Sequence, residues 1–354
     1  MVYQPSKAIH PGVTVQRTLD SLGMTQKRLA ERTGLSEKHI SQIINGEASI
    51  TADTAFLLQN AVGGAASFWL NLDKNHRETL ARIEQDERAA QEESLVAQFP
   101  YSELVKRNKV SKTLKKSERV LELWRFFGVN SLTSIPDIEV AAYRKGQTDE
   151  SKQGAIAAWL RCGEIEFMEY KNIELAEYDQ SSLRKLLPKL REMTQIMGNG
   201  FFEATQKMLA EVGVGLVAVQ YFPGTKASGA TRWIGGKPLV QVSTYGRDAD
   251  KMWFTLFHEI GHVLLHGKKD QFISFTDDGK SPDEMQADAF AASTLIPDNV
   301  YRAFIVKQDF SELAIKKFAK EQKINPGIVV GRLKNDKWLT FGSYQHLHTK
   351  LEMN

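Results

Sequence analysis

The chain of 354 residues is 42% hydrophobic and 25% charged, the composition of a globular protein with room for about two or three domains. Its formal net charge is only +3, which excludes a uniformly basic chain. No apolar run reaches the roughly 18 residues of a membrane helix, which excludes a membrane span. The single cysteine, Cys162, excludes an internal disulfide and a thiolate zinc site. The first residues lack a signal-peptide pattern, so we expect a cytoplasmic protein.

Taken in chain order, the hydrophobic pattern predicts a mainly α protein with a small β-sheet, an α+β fold. Residues 1–95 show short helices with tight turns, and residues 96–200 form a helical middle region to which no chemistry is assigned. Residues 201–300 combine expected strands with a histidine-rich helix. Residues 301–354 form a C-terminal helical segment.

The strands are expected in three stretches of the third region. The apolar run 212–224 indicates a buried strand, and 229–236 and 237–243 indicate two more strands, joined by a Gly-Gly turn. The C-terminal segment is expected to carry a helix over 310–322 and another behind Pro326.

The segment MTQKRLAERTGLSEKHISQIINGEASIT (24–51) has the pattern of two short helices joined by a tight turn. Thr25 and Ser36 are suited to cap the two helices, and Gly34 suits the left-handed turn between them. This arrangement places a second helix in the major groove of DNA in helix-turn-helix proteins. A plain helical hairpin with a polar face remains the alternative.

This segment resembles the helix-turn-helix of the Xre/Cro family, and its continuation at 50–73 is similar to HigA-type antitoxins, which carry an FWLNL block there. The resemblance implies a double-stranded DNA operator as partner and a homodimer on paired half-sites. It implies base contacts from Glu37, Lys38, Ser41 and Gln42, and phosphate contacts from Gln26 and Lys27. Phe68, Trp69 and Leu70 fit either a dimer face or simple core packing.

A second basic feature lies between Lys106 and Arg119, where seven lysine and arginine residues stand against Glu118 alone. Such a run is typical of a solvated helix face. It also fits a surface that holds DNA phosphates.

The stretch FTLFHEIGHVLLHG (254–267) places His258 and His262 four residues apart, so that on a helix both imidazoles face one point. Glu259 lies about 100° round the helix, close enough to reach a metal-bound water without binding the metal. The remaining positions are mostly apolar, which predicts a buried helix that ends at Gly267. Core histidines satisfied by hydrogen bonds are the alternative. His266 lies roughly 12 Å beyond His258 along the helix axis and is therefore not expected as a ligand, and we expect it to support a ligand or to pack in the core.

A third ligand is expected from the stretch SPDEMQADAFAASTLIP (281–297), which opens a helix at Ser281. Glu284 and Asp288 are four residues apart on one face of that helix. One carboxylate is suited to bind zinc, while the other accepts a hydrogen bond from a ligating imidazole. The residues alone leave the order of these two roles open.

The two helices together resemble the ImmA/IrrE metallopeptidases, a gluzincin-like family with an FTLxHExGH helix and an ExEANxFAxxLLMP helix. By position, Glu284 falls on the third zinc ligand of the family, beside His258 and His262. Gln286 replaces the second glutamate of the family motif, and Asp288 replaces the usual asparagine. We expect the Asp288 side chain to support a metal ligand.

The resemblance implies a zinc metallo-endopeptidase, with Mn²⁺ as the alternative metal in the cell. Glu259 would take a proton from water and deliver it to the leaving amine. An edge strand beside the site aligns the substrate backbone in this family, and 229–243 is expected to supply it. Candidates for a second oxyanion donor are Tyr221, Tyr245, His266, Tyr301, His346 and His348.

The two resemblances imply a DNA-binding transcriptional regulator that cleaves a repressor or antitoxin protein. One alternative is an antitoxin-like autoregulator whose peptidase fold acts as a sensor or interaction module without turnover. Another is zinc-dependent hydrolysis of a substrate that is not a peptide. Glu259 favours the enzyme, because a pure sensor has no need of a base.

Overall fold

The computed structural model describes residues 5, 7–135, 150–170, 173–196, 200–223, 225–243, 248–266, 272–275 and 281–349. The chain divides into two units, one of Met1–Ser94 and Leu114–Leu121 and one of Leu95–Thr113 and Glu122–Asn354. The described residues are mainly helical with one small sheet, which confirms the α+β prediction. None of the described helices is long and apolar enough to cross a membrane.

The first unit contains the helices α1 Pro11–Ser21, α2 Gln26–Thr33, α3 Glu37–Asn45, α4 Ala52–Val62 and α5 Ala66–Gln91. The expected caps are confirmed, because the Thr25 hydroxyl accepts from the Arg28 amide and the Ser36 hydroxyl accepts from the His39 amide. Gly34 ends α2 with φ of 71°, the left-handed conformation that the tight turn requires. The buried residues Leu29, Ala30, Ile40 and Ile43 pack these two helices into one core.

Trp69 belongs to the core of this unit, since it is fully buried and its indole nitrogen donates to the Gly63 carbonyl at 3.0 Å. Leu70 is partly buried against the same core. Phe68 differs from both because 46% of it is exposed. Of the three residues considered for a dimer face, the structure therefore leaves only Phe68 substantially on the surface.

The remaining helices are α6 Tyr101–Lys106, α7 Lys116–Phe127, α8 Glu150–Met168, α9 Gln180–Glu192, α10 Phe201–Ala210, α11 Ala249–Leu265, α12 Pro282–Leu295, α13 Asp298–Val306, α14 Glu312–Gln322 and α15 Pro326–Asn335. The helices expected near 310–322 and behind Pro326 are confirmed as α14 and α15, and α13 was not foreseen. Helix α11 ends at Leu265 with His266 as its extended C-cap. The expected end at Gly267 is therefore wrong, and Gly267 itself lies outside the described residues.

The sheet of the second unit contains β1 Gly215–Val219, β2 Ala227–Ile234, β3 Lys237–Ser243 and β4 Phe272–Phe275, in the order β1-β3-β2-β4. β1 pairs with β3 in parallel, and the other pairs are antiparallel. The hairpin between β2 and β3 turns at Gly235 and Gly236, both with positive φ, as the Gly-Gly turn predicts.

The expectation that residues 229–243 supply the edge strand is wrong. β2 and β3 occupy the interior of the sheet, because β4, a strand that the sequence pattern did not reveal, pairs with the outer side of β2. The register of this pair shifts between Ala227 and Gly229, which marks a bulge. Among the described strands, β1 and β4 are the edges.

Side chains form hydrogen bonds with backbone groups at the β1 edge of the sheet. The Tyr170 hydroxyl accepts from the Leu216 amide at 3.1 Å and also donates to the Leu216 carbonyl. Gln206 donates to the same carbonyl at 2.8 Å, and the Trp159 indole donates to the Val219 carbonyl. A further strand cannot pair with backbone groups that are already bonded in this way.

Helix α11 lies across β2 and β3 and also packs against α12. At the crossing of the two helices, a Cβ atom on Gly261 would lie 3.3 Å from the Ala287 Cα and 3.1 Å from the Phe290 ring. The two small residues therefore allow the helix backbones to approach closely. This approach brings the side chains of His258, His262 and Glu284 together.

Candidate functional site

The second unit contains one cluster of potential metal ligands among its described residues, formed by His258, His262 and Glu284. The Nε2 atoms of the two histidines are 3.1 Å apart. Glu284 places Oε2 3.1 Å from Nε2 of His258 and Oε1 3.3 Å from Nε2 of His262. Two imidazole nitrogens and a carboxylate thus converge on one point from two helices.

The chemistry of this donor set fits a divalent cation. Where both Nε2 atoms present lone pairs to each other, a proton or a metal cation between them removes the repulsion. Hydrogen bonds to Asp288 and Glu284 raise the pKa of His258 to about 10, although burial alone would lower it. Burial would raise the pKa of Glu284, but its hydrogen bonds to both histidines lower that pKa to about 2. The cluster therefore attracts a proton or a metal cation.

Each of the two imidazoles is held from behind. Nδ1 of His258 lies 2.9 Å from Oδ1 of Asp288, and Nδ1 of His262 lies 2.9 Å from Nδ1 of His266. The Phe272 ring stacks on His262 with centroids 4.1 Å apart. Contacts of this kind fix the ring orientation of metal-binding histidines.

His266 lies outside the ligand cluster and packs against His262, which is the supporting or packing role expected of it. The separation of roughly 12 Å holds for a continuing helix, whereas the chain leaves the helix after Leu265 and His266 adopts φ of −112° and ψ of 164°. Its ring returns to His262, and Nε2 lies 3.6 Å from Oδ1 of Asp283. The repeated spacing of four residues was the available signal for this contact.

Glu259 is fully buried on the side of α11 that faces the sheet. Its Oε1 accepts from the Ser274 hydroxyl and its Oε2 from the Thr231 hydroxyl, both at 2.7 Å. Burial raises the pKa of Glu259, against the effect of the two nearby histidines and the two hydroxyls. Neither hydroxyl was expected from the sequence, because nothing local shows which residue of a strand faces the helix.

Three other candidates for an oxyanion donor have partners away from the cluster. The Tyr301 hydroxyl donates to Asp336, His346 pairs with Glu312, and His348 pairs with Asp250. The carbonyl of Tyr221 accepts from Arg107. Tyr245 lies outside the described residues.

The six residues expected to contact DNA lie on α2 and α3 of the first unit. Lys27, Glu37 and Lys38 are exposed, whereas Gln26, Ser41 and Gln42 are partly buried. Two of them have partners within the protein, since Gln26 donates to the Gln16 side chain and Asn45 donates to the Ser41 hydroxyl, each at 3.2 Å. The four residues on α3 lie on the side opposite the buried Ile40 and Ile43.

Much of the charge in the basic run 106–119 is paired within the protein. Arg107 donates to the carbonyls of Gln220 and Tyr221, and its guanidinium lies 3.6 Å from the centroid of the Phe222 ring. Lys109 lies 3.8 Å from Glu166, and Lys115 lies 3.2 Å from Glu118. These contacts favour a structural role for Arg107 over a phosphate contact.

Two family models match the chain. A helix-turn-helix model covers residues 15–68, and the model of the IrrE N-terminal-like peptidase domain covers residues 217–334. The chain joins an Xre-type helix-turn-helix domain to an IrrE-like peptidase domain. The second match includes α11, α12 and the whole ligand cluster, so the cluster lies in a metallopeptidase-like domain.

Three similar proteins resemble the helix-turn-helix part of the chain. Virulence-associated protein I of Dichelobacter nodosus is 35% identical over 83 residues, which are 23% of this chain and 75% of that protein. Antitoxin HigA-1 of Vibrio cholerae is 41% identical over 54 residues, which are 15% of this chain and 50% of the antitoxin. A solved addiction-module antidote protein of the HigA family from Coxiella burnetii is 32% identical, with 24% of this chain and 95% of that chain covered and a TM-score of 0.23.

We predict that metal binding by this chain strengthens as the pH rises. The pKa of His258 is raised to about 10, so at neutral pH a metal must displace a proton from that ring. Zinc affinity should therefore rise about ten-fold per pH unit for each proton released. Calorimetric zinc titration in two buffers of different ionisation enthalpy counts the protons, and a count of zero at pH 7 contradicts this prediction.

We also predict that Asp288→Ala weakens zinc binding by about 10- to 100-fold, because His258 loses the carboxylate that orients its ring. Competition with a chromophoric chelator measures the change. Asp298→Ala is the matched control, since Asp298 lies at the exposed start of α13. Equal affinities for the two variants would show that Asp288 does not support the ligand.

Proposed function

We propose that the protein is a cytoplasmic DNA-binding transcriptional regulator with a zinc-dependent endopeptidase that cleaves a repressor or antitoxin protein. The observation that carries the proposal is the convergence of His258, His262 and Glu284 beside the buried carboxylate of Glu259. The match to the IrrE-like peptidase domain supports the enzymatic part, and the antitoxin HigA-1 relative supports the regulatory part.

His258, His262 and Glu284 would hold the metal, with zinc favoured by two nitrogen donors and one oxygen donor and Mn²⁺ as the alternative in the cell. A bound zinc ion would act as a Lewis acid and make water acidic enough to be deprotonated near neutral pH. Asp288 and His266 keep the two imidazoles in the orientation that directs both Nε2 atoms at the proposed metal position.

Glu259 supplies the proton transfers in this proposal. Its raised pKa suits a group that must accept a proton from water and then release it to the leaving amine near neutral pH. Burial in the core also keeps bulk water from the carboxylate, which strengthens its electrostatic interactions.

We propose that the substrate backbone pairs with the outer edge of β4. The opposite edge of the sheet is occupied by Tyr170, Gln206 and Trp159, whereas β4 pairs with β2 on one side and is the last of the described strands on the other. β4 also lies at the cluster, because its residue Phe272 stacks on His262. An extended peptide added there would pass beside the proposed metal ligands.

For DNA, we propose that α3 enters the major groove and that a homodimer binds paired half-sites. Glu37, Lys38, Ser41 and Gln42 would contact bases, and Gln26 and Lys27 would contact phosphates. Among the residues considered for the dimer face, the exposed ring of Phe68 supports its part in that contact.

One observation favours the alternative of a sensor without turnover. Both carboxylate oxygens of Glu259 already accept hydrogen bonds from hydroxyls, and the group is fully buried. A base in this position must become accessible to water before it can act. In the sensor alternative that change does not occur, and the domain responds to a bound partner instead.

A cleavage assay with the zinc-loaded chain decides between the endopeptidase and the sensor without turnover. We expect the wild type to cut a repressor or antitoxin encoded beside its own gene and Glu259→Gln to lower kcat by about 100-fold or more. Mass spectrometry of the products measures this, and Glu321→Gln, on the exposed face of α14, is the control. Equal cleavage by the wild type and Glu259→Gln contradicts the enzymatic role, and bound zinc without cleavage supports the sensor.

The DNA contacts are tested on duplexes selected by the full chain from a randomised pool. We predict that Lys27→Ala weakens binding to all selected duplexes alike and reduces the salt slope by about one, because one phosphate contact is lost. Gln42→Ala should cost about 1–3 kcal/mol and relax the preference at one base pair. Lys320→Ala, an exposed lysine on α14, is the control, and the assignment fails if its effect equals that of Lys27→Ala.

A further inference from the structure

The carboxylate of Glu259 lies in a slot on the face of the sheet. Gly229 forms the floor of the slot, since a Cβ atom there would lie only 2.3 Å from Oε1 of Glu259. Thr231 lies two residues further along β2 and therefore on the same face. Ser274 is the register partner of Gly229 on β4. The slot is thus lined by Gly229, which has no side chain, and by the hydroxyls of Thr231 and Ser274 from two neighbouring strands.

The hydrogen-bond donors and acceptors in the slot match. The Thr231 hydroxyl has one proton and lies 2.7 Å from Oε2 of Glu259, closer than the 3.0 Å to the backbone carbonyl of the same residue. That carbonyl lies within α11, where the helix already supplies a donor. The Ser274 hydroxyl donates to Oε1 at 2.7 Å. Each carboxylate oxygen therefore accepts one hydroxyl hydrogen bond.

The second hydroxyl connects this slot to the sheet edge. Ser274 is two residues from Phe272 on β4, and Phe272 stacks on the ring of His262. One short strand thus contacts both the base and one ligand of the proposed centre. A shift of β4 would therefore alter the contacts of both Glu259 and His262.

We propose that Thr231 and Ser274 are positioning residues that fix the carboxylate of Glu259 for proton transfer. This inference rests on the proposed function, because it takes Glu259 as the base. The two hydroxyls do not contact the ligand cluster in the described structure, and they act only through Glu259. The edge strand that would receive the substrate thereby also sets the position of the base.

The first measurement is spectroscopic and needs neither metal nor substrate. In full-length protein with ¹³Cδ-labelled glutamate, the Glu259 resonance is assigned by its absence in Glu259→Gln. Thr231→Val and Ser274→Ala should each shift this resonance, and Ser274→Thr should leave it close to the wild-type position. The controls are Thr205→Val and Ser293→Ala, whose hydroxyls donate to backbone carbonyls in α10 and α12.

The second measurement is a double-mutant cycle in urea. Ser274→Ala should raise the unfolding equilibrium constant by at least about ten-fold when Glu259 is present, because a buried carboxylate oxygen loses its donor. In the Glu259→Ala background the same change should have less than about a two-fold effect. If Thr231→Val does not fold, Ser274→Ala, which removes a single atom from the strand, decides the outcome.

An unmoved Glu259 resonance, or equal effects of Ser274→Ala in both backgrounds, overturns the inference. A zinc titration of the same proteins separates this result from the proposed function. Ser274→Ala should bind zinc as the wild type does, because its hydroxyl does not contact a proposed ligand. Failure of the wild type to bind zinc would count against the proposed function and leave the measured coupling to Glu259 intact.

Discussion

The close approach of α11 and α12 at Gly261 and Ala287 is the constraint on which the site depends. A larger side chain at Gly261 would meet the backbone of α12 and separate the two helices. His258 and His262 lie on one helix and Glu284 on the other, so the distances of 3.1 and 3.3 Å between them exist only at this separation. The small residues at the crossing therefore determine whether the cluster can form.

The cost of burying polar groups explains the rest of the arrangement. Two imidazoles and the carboxylate of Glu259 lie in the core of the second unit, where an unpaired polar group is unfavourable by several kcal/mol. The structure satisfies them with partners from each neighbouring element: Asp288 from α12, His266 from the end of α11, and Thr231 and Ser274 from the sheet. The point between the three proposed ligands is surrounded by two imidazole nitrogens and one carboxylate, and that donor set suits a cation.

Sequence patterns over a few contiguous residues were sufficient to predict several elements. The caps at Thr25, Ser36 and Ser281 were predicted because a hydroxyl that binds an amide three residues later is a local contact. The two helices of the centre were predicted from residues spaced by four. The edge strand was predicted wrongly, because β4 is a short strand without a clear pattern and pairs with residues of β2 that lie 41 to 48 positions earlier in the chain. The contacts of Glu259 with Thr231 and Ser274 depend on that same pairing.

The sequence by itself determined the two kinds of domain, the spacing of His258 and His262, and the placement of Glu284 and Asp288 on one face of a second helix, whereas the choice of Glu284 as the ligand came from the family resemblance. These features follow from helical periodicity and from motifs, which are properties of contiguous residues. Only the tertiary structure decided which strand lies at the edge, that His266 turns back to His262, and that two hydroxyls hold Glu259. The physical reason is that these contacts join residues from separate elements, and their geometry is set by how the helices and the sheet pack.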